Sequence, residues 1–559
     1  MTTTVYAARR ILTLNPAQPD ATHVAVRDGR ILAVGDLARM QAWGAYTLDT
    51  RFADKVLMPG FVEGHCHLKE GSMWVAPYLG WFDRRDPSGT VWPGLRSMQA
   101  VVDRLNQLDA QMVAAGQPDD APLTGWGFDP IYVGGERMTT EHLDRVGNGR
   151  RPIVVAHANG HLLNANSAML QRAGITADTE VEGVMKYTTG PLAGQPNGEL
   201  QEPSAMYLVF KTIGGAGLQG PMTDGGLRAF GAIACLQGVT TATDMVNRLT
   251  DKDLEVLRRQ AADEGFPVRI LPAFQSFHGT HAAAAGAEHV KALAATSTDK
   301  LRFGLVKMMM DGSIQGYSAR LRWPGYVNGE ANGIWVTAPA QYEADFETYH
   351  RAGLLIHTHT NGDEASEVAI DAIERVLARA PRPDHRHTLQ HGQMIDRPMF
   401  KRMGALGLCA NLFANHVWYW GDQHVTMTMG PDRAERIDAC RSALDEGVAL
   451  AIHSDAPVTP LAPLFTAWCA VNRITPEGRV LGSAERIRVD EALYAITLGA
   501  AFTLKLDHEI GSIECGKRAD FAVLEDDPTA VDPMALKDVR VWGTVLSGRV
   551  FQAGTLPVV

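Results

Sequence analysis

The chain has 559 residues, more than a single compact core usually holds, so more than one structural unit is expected. Hydrophobic residues make up 45% and charged residues 21%, the balance of an ordinary folded protein. The formal charge of −11 and a pI near 5.9 exclude nucleic acid and anionic membrane as partners, since both require a basic face.

Six scattered cysteines without a CxxC pair require no disulfide, and the start Met1-Thr2-Thr3-Thr4-Val5 carries no secretory pattern. No apolar run reaches the length of a membrane span, so a cytoplasmic enzyme is the expectation. In chain order, the runs 24–26 and 31–34 flank an Asp28-Gly29 turn and predict a hairpin. An apolar run at 56–61 then leads into His65 and His67. Residues 68–222, rich in Trp, Gly and Pro, interrupt the pattern, with one strand-like run of their own at 152–156. They predict an insertion after the first barrel strand, capping the strands' C-terminal ends. Strand-like runs follow at 238–244, 267–272, 301–308, 353–359, 386–391, 405–411 and 448–455. Helical patterns at 251–264, 281–296, 340–352, 365–380 and 434–446 alternate with them. The tail returns to β texture at 519–524 and 539–546, with a Ser547-Gly548-Arg549 turn. This order predicts a (β/α)8 TIM-type barrel over 58–508, carrying a small β-sandwich domain built from 1–57 and 509–559.

His65-Cys66-His67 sets two imidazoles at i and i+2, on one side of a strand end, where both reach a single ion. Four further strands end in Lys307, His359, His391 and Asp455, and in this architecture active-site groups gather from several strand ends. Histidine nitrogens suit zinc and similar divalent ions. His357 competes as the ligand of its strand; His359 is preferred because it meets the loop Thr360-Asn361-Gly362-Asp363. An ammonium repels a cation, whereas a neutral buried Lys307 reacts with carbon dioxide to give a carbamate that bridges two ions. The alternative for Lys307 is an ion pair with Asp311 or Asp455. Asp455 serves as ligand and as carrier of a proton from metal-held water, whose pKa falls to about 7, to a leaving amine. Its alternative is a helix N-cap.

Met58-Pro59-Gly60-Phe61-Val62-Glu63-Gly64-His65-Cys66-His67 resembles the opening motif of the amidohydrolase superfamily. Val306-Lys307 followed by Asp311-Gly312-Ser313, His359 followed by Gly362-Asp363, and Ser454-Asp455-Ala456-Pro457 resemble its family-3 branch. The stretch from Asn415 to Asp422 is similar to one in N-substituted formamide deformylases and their close relatives. The resemblance implies hydrolysis of a small N-substituted amide, a formamide giving formate and an amine among the candidates, by metal-bound hydroxide. It implies one or two zinc ions, two being favoured, on His65, His67, Lys307, His359, His391 and Asp455. Asn159-Gly160-His161 resembles the segment that reaches the pocket from the insertion, so His161 polarises the substrate carbonyl or caps the following helix. His416, Trp420 and Trp126 are the expected substrate contacts, and the chain's size predicts a homodimer. The competing readings are a mononuclear deaminase or cyclic amidase with unmodified Lys307, and a ligand-binding descendant without turnover.

Overall fold

The computed structural model describes residues 3–158, 160, 162–214, 222–276 and 282–557. One unit comprises Met1–His67, Gly231–Ala456 and Leu461–Pro557; the other comprises Leu68–Phe230 with Pro457–Pro460.

In the first unit, eight strands lie side by side in chain order. They are β1 Phe61–Glu63, β2 Val239–Asn247, β3 Arg269–Gln275, β4 Leu305–Met309, β5 Leu355–Thr360, β6 Thr388–His391, β7 Cys409–Leu412 and β8 Ala449–Ile452. All neighbours are parallel. The strands are buried almost throughout, which is why they read as apolar runs rather than alternating ones. The first and last strands meet just past their ends. Asp455 N–H donates to His65 O over 3.1 Å, and His67 N–H to Ala456 O over 2.7 Å. Glu63 joins the closure by accepting the Ser454 N–H at 3.1 Å and its hydroxyl at 2.9 Å. The result is a (β/α)8 barrel. Among its helices, Asp251–Ala262 starts on a Thr250–Asp253 capping box, and Arg397–Leu406 starts on Asp396 and stops at Gly407 in the left-handed region.

Two expected elements are corrected. The run 56–61 is not one strand: Tyr46–Pro59 belongs to a separate sheet and β1 starts at Phe61. The chain changes sheets within one residue, since Gly60 N–H donates to Asp520 O and Phe61 N–H to Gly238 O. A Cβ on Gly60 would stand 2.1 Å from Thr240 Oγ1, so only glycine lets the chain pass. The predicted helix 434–446 is two short helices, Pro431–Ala434 and Cys440–Asp445, because Asp438 between them takes φ +46. The buried Arg473 holds that bend by donating to the carbonyls of Ile437 and Asp438.

The remaining strands of this unit form a seven-stranded sheet drawn from both chain ends. Its order is Arg549–Gln552, Val541–Leu546, Phe521–Leu524, Tyr46–Pro59, Thr3–Leu12, Asp20–Arg27, Arg30–Gly35. Ile11, Phe52, Leu57, Phe521, Val523 and Val545 share its buried core. Both hairpin turns, Asp28-Gly29 and Ser547-Gly548, place two residues at positive φ, the geometry that matches strand twist. The second unit carries a five-stranded sheet in the order Val184–Lys186, Pro196–Gln201, Leu162–Ala165, Ile153–His157, Leu123–Phe128. There Arg84 is buried, pairs with Glu70 at 2.6 Å and lies 4.8 Å above the Trp126 ring. Among the described residues no helix is long and apolar enough to cross a membrane, and all six cysteines are free thiols.

Near the start of β6 a run of histidines is wired in the neutral state. Ile356 N–H donates to His387 Nδ1, His387 Nε2–H to His350 Nδ1, and His350 Nε2–H to Ala380 O. Burial and adjacent cationic groups hold His350, His385 and His387 below the ordinary histidine range. These groups bind fewer protons folded than unfolded, so their stabilisation is complete above about pH 6.5 and is lost as pH falls, by up to about 1.4 kcal/mol per pH unit for each withheld proton. The urea midpoint is expected to drop between pH 7.5 and 5.5, and His387→Gln to flatten that drop; a variant as acid-sensitive as wild type would refute the assignment.

Candidate metal centre

The C-terminal ends of the barrel strands converge on one cluster. His65 and His67 follow β1, Lys307 lies in β4, His359 in β5, His391 ends β6, and Asp455 follows β8. Asp455 Oδ1 is 3.1 Å from His67 Nε2 and 3.4 Å from His65 Nε2. Lys307 Nζ is also 3.4 Å from His65 Nε2. The His391 ring centroid lies 4.5 Å from those of both His65 and His359. His391 and Asp455 both sit at positive φ, 66° and 52°, strain of a kind that collects at functional sites.

Burial keeps His65 and His391 well below the ordinary histidine range, with nearby lysine and histidine charges adding to the effect. Both are therefore held neutral, each with one N–H and one lone-pair nitrogen. Burial likewise brings Lys307 down to about 7, with Asp455 opposing the shift. Asp311, an alternative partner for Lys307, is committed elsewhere: its carboxylate accepts the N–H groups of Asn361, Gly362 and Arg320 at 2.9 to 3.0 Å. It thereby ties the loop after β4 to the loop after β5. In the same loop Gly312 O and the Asn361 amide nitrogen each lie 3.1 Å from His359 Nε2, and that amide donates to Gly312 O at 2.8 Å.

These contacts explain the glycine in His359-Thr360-Asn361-Gly362. A Cβ on Gly362 would stand 1.8 Å from Arg320 O, the main chain that Asp311 holds. Gly362→Ala is expected to cost about 1–3 kcal/mol, read as a lower melting temperature. It should also weaken metal binding, because Gly312 moves with that loop; an unchanged melting temperature would exclude the clash.

The residues fit a divalent ion. Ligand atoms about 2.0–2.1 Å from a shared tetrahedral ion are themselves about 3.3 Å apart, and the separations of 3.1 and 3.4 Å around Asp455 Oδ1 match. His65, His67 and Asp455 form one group with ligand atoms within 4.8 Å of one another, and His65, His391 and His453 form a second. The sequence reading missed His453. It precedes Asp455 by two, the same spacing that singled out His65 and His67. Its Nδ1 donates to Asn411 Oδ1 at 3.1 Å, so its Nε2 accepts from His391 Nδ1, also at 3.1 Å. His357 points elsewhere: its Nε2 donates to Thr503 O at 3.1 Å.

The expected substrate contacts fare differently. His161 lies outside the described residues. Trp126 has no exposed surface, its indole N–H donates to Ala76 O, and it packs in the second unit's core. His416 opens the helix His416–Gln423 after β7, donating from Nδ1 to the buried Asp438 at 3.1 Å. Its ring lies 4.3 Å from that of Phe413, which in turn stacks 5.0 Å from His453. Trp420, buried on the same helix, lies 5.6 Å from His416.

Residues 53–552 match a profile described as Amidohydrolase family. The chain belongs to this family. It is a metal-dependent hydrolase acting on carbon–nitrogen bonds. Among curated relatives, it is 27% identical to Protein LONG AFTER FAR-RED 3 of Arabidopsis thaliana, over 92% of this chain and 85% of that one. It is 26% identical to an N-substituted formamide deformylase of Arthrobacter pascens, over 96% of each chain. A metal-dependent hydrolase from Pyrococcus horikoshii shares the fold with a TM-score of 0.70 at 19% identity, over 95% of this chain and 99% of that one.

Proposed function

We propose that this hydrolase cleaves a small N-substituted amide, with N-substituted formamides as the first class of substrate, to give the acid and the amine. The observation that carries the reading is the Asp455 carboxylate, set between His65 and His67 at 3.4 and 3.1 Å. Similarity along nearly the whole chain to a formamide deformylase supports the acyl group.

The donor set favours zinc, with His65, His67 and Asp455 holding one ion and His359 and His391 the other. Bound divalent ions supply Lewis-acid polarisation of the amide carbonyl and bring the pKa of water toward neutrality. As a carbamate Lys307 would offer a further anionic ligand to the ions: the neutral amine would add to carbon dioxide, an N–C bond forming as the nitrogen releases a proton. Its pKa near 7 supports that neutral amine. Asp455 accepts a proton from the attacking water and returns it to the leaving nitrogen. The protein acts as a cytoplasmic homodimer on this reading; sedimentation at a single chain mass of 60.6 kDa would refute the dimer.

The deciding experiment is a turnover screen of metal-loaded protein against N-substituted formamides, acetamides and longer acyl amides. Release of amine from the formamides, falling with acyl length, is the expected result. Ammonia release from ring substrates with no amide cleavage would move the activity to the mononuclear deaminases.

A further inference from the structure

Gln390 is fully buried in β6, one residue before His391 and level with His359 across the strand pair. Its carboxamide touches two imidazoles at once. Oε1 lies 2.8 Å from His65 Nδ1, and Nε2 lies 2.6 Å from His357 Nδ1. The other nitrogen of His357 lies 3.1 Å from Thr503 O, at the last residue of the helix Leu498–Thr503, where main-chain carbonyls lack partners within the helix.

The direction of this chain follows from its end. A carbonyl only accepts, so His357 Nε2 carries the hydrogen and His357 Nδ1 a lone pair. That lone pair requires an N–H, which turns the Gln390 amide so that its oxygen faces His65. The oxygen in turn requires an N–H, so the hydrogen of His65 sits on Nδ1. What remains is the lone pair on His65 Nε2, facing Asp455 Oδ1 and Lys307 Nζ at 3.4 Å each. One main-chain carbonyl thus sets the polarity of three side chains and finishes at a ligand atom.

We propose that Gln390 and His357 are positioning residues that hold His65 in the one tautomer able to bind metal. This rests on the reading of the cluster as a metal centre. Without the amide, His65 is free to carry its hydrogen on Nε2, where it closes the ring to a cation. A ligand imidazole whose second N–H is held by a fixed acceptor keeps its orientation, and loss of such a partner typically costs 10–100-fold in metal affinity. The chain also accounts for two histidines two residues apart with separate duties: His359 faces the centre, and His357 wires it from behind.

The test is the zinc dissociation constant of the full-length protein by chelator competition, with the melting temperature of the metal-free protein as the control for folding. Gln390→Leu is expected to weaken zinc 10–100-fold. Gln390→Glu keeps an acceptor for His65 Nδ1–H and is expected to bind close to wild type. Gln390→Asn, whose shorter arm fails to span both rings, should show the same loss as leucine and serves if the leucine variant does not fold. In metal-free protein labelled with ¹⁵N-histidine, the His65 proton should sit on Nδ1 in wild type and lose that preference in Gln390→Leu. Undiminished affinity in a folded Leu or Asn variant, or a Glu variant as weak as the Leu one, overturns the proposal. Wild-type protein that takes up no zinc overturns the metal-centre reading instead.

Discussion

Asp455→Asn is expected to lower kcat by about 10²–10⁴-fold, the range that general acid–base catalysis covers. The substitution isolates chemistry from folding. Asparagine has nearly the same shape and is, with aspartate, among the few residues that adopt positive φ readily, so the 52° backbone angle at this position persists. The main-chain bond from Asp455 N–H to His65 O, part of the barrel closure, is also untouched. An amide, however, takes up no proton near neutrality and binds metal more weakly than a carboxylate. Zinc content and kcat measured on the same sample separate the two losses. Turnover near the wild-type level with metal in place would remove Asp455 from proton transfer.

Lys307→Met should have an effect of similar size through a different route. Methionine fills much of the same volume in the buried strand interior, and removing an amine that burial already keeps close to neutral costs little stability. What would disappear, on the proposed reading, is the carbamate ligand. The metal content of purified protein is expected to fall from about two ions per chain to about one, with a loss of turnover beyond the 10–100-fold that outer partners carry. A small carboxylate added to the buffer, which supplies oxygens to the vacated space, should restore part of the activity. If wild type holds one ion and Lys307→Met remains active, the lysine is an ordinary buried amine and the mononuclear alternative stands.

Much of this centre was legible in the sequence, for a physical reason. The alternation of strands and helices puts His65, His67, His359, His391 and Asp455 at strand ends, and the structure gathers those ends into one cluster. The partners behind them could not be assigned that way. Gln390 and Asn411 read as polar residues in buried strands, and only their contacts across the barrel give them a role. His453 obeyed the i, i+2 rule and was still overlooked, because Asp455 had already accounted for that strand. Asp311 was read as a rival partner for Lys307, but three main-chain N–H groups from distant segments claim it. Trp126 marks a different limit, since composition does not distinguish a tryptophan that lines a pocket from one that fills a core. In the fold, the apolar run through Gly60 was continuous across two sheets, and periodicity does not register a change of hydrogen-bonding partner.

The sheet shared by the chain ends also constrains how the molecule is made. Tyr46–Pro59 pairs on one side with Thr3–Leu12 and on the other with Phe521–Leu524. At roughly 5–20 residues per second of synthesis, the first of these strands waits on the order of 20–90 s for its last neighbour to be made. Through that interval it is an open edge, the kind of surface that invites pairing with another chain. Arg51, Asp54 and Lys55 place charge along it during the wait, an arrangement that discourages association between nascent chains.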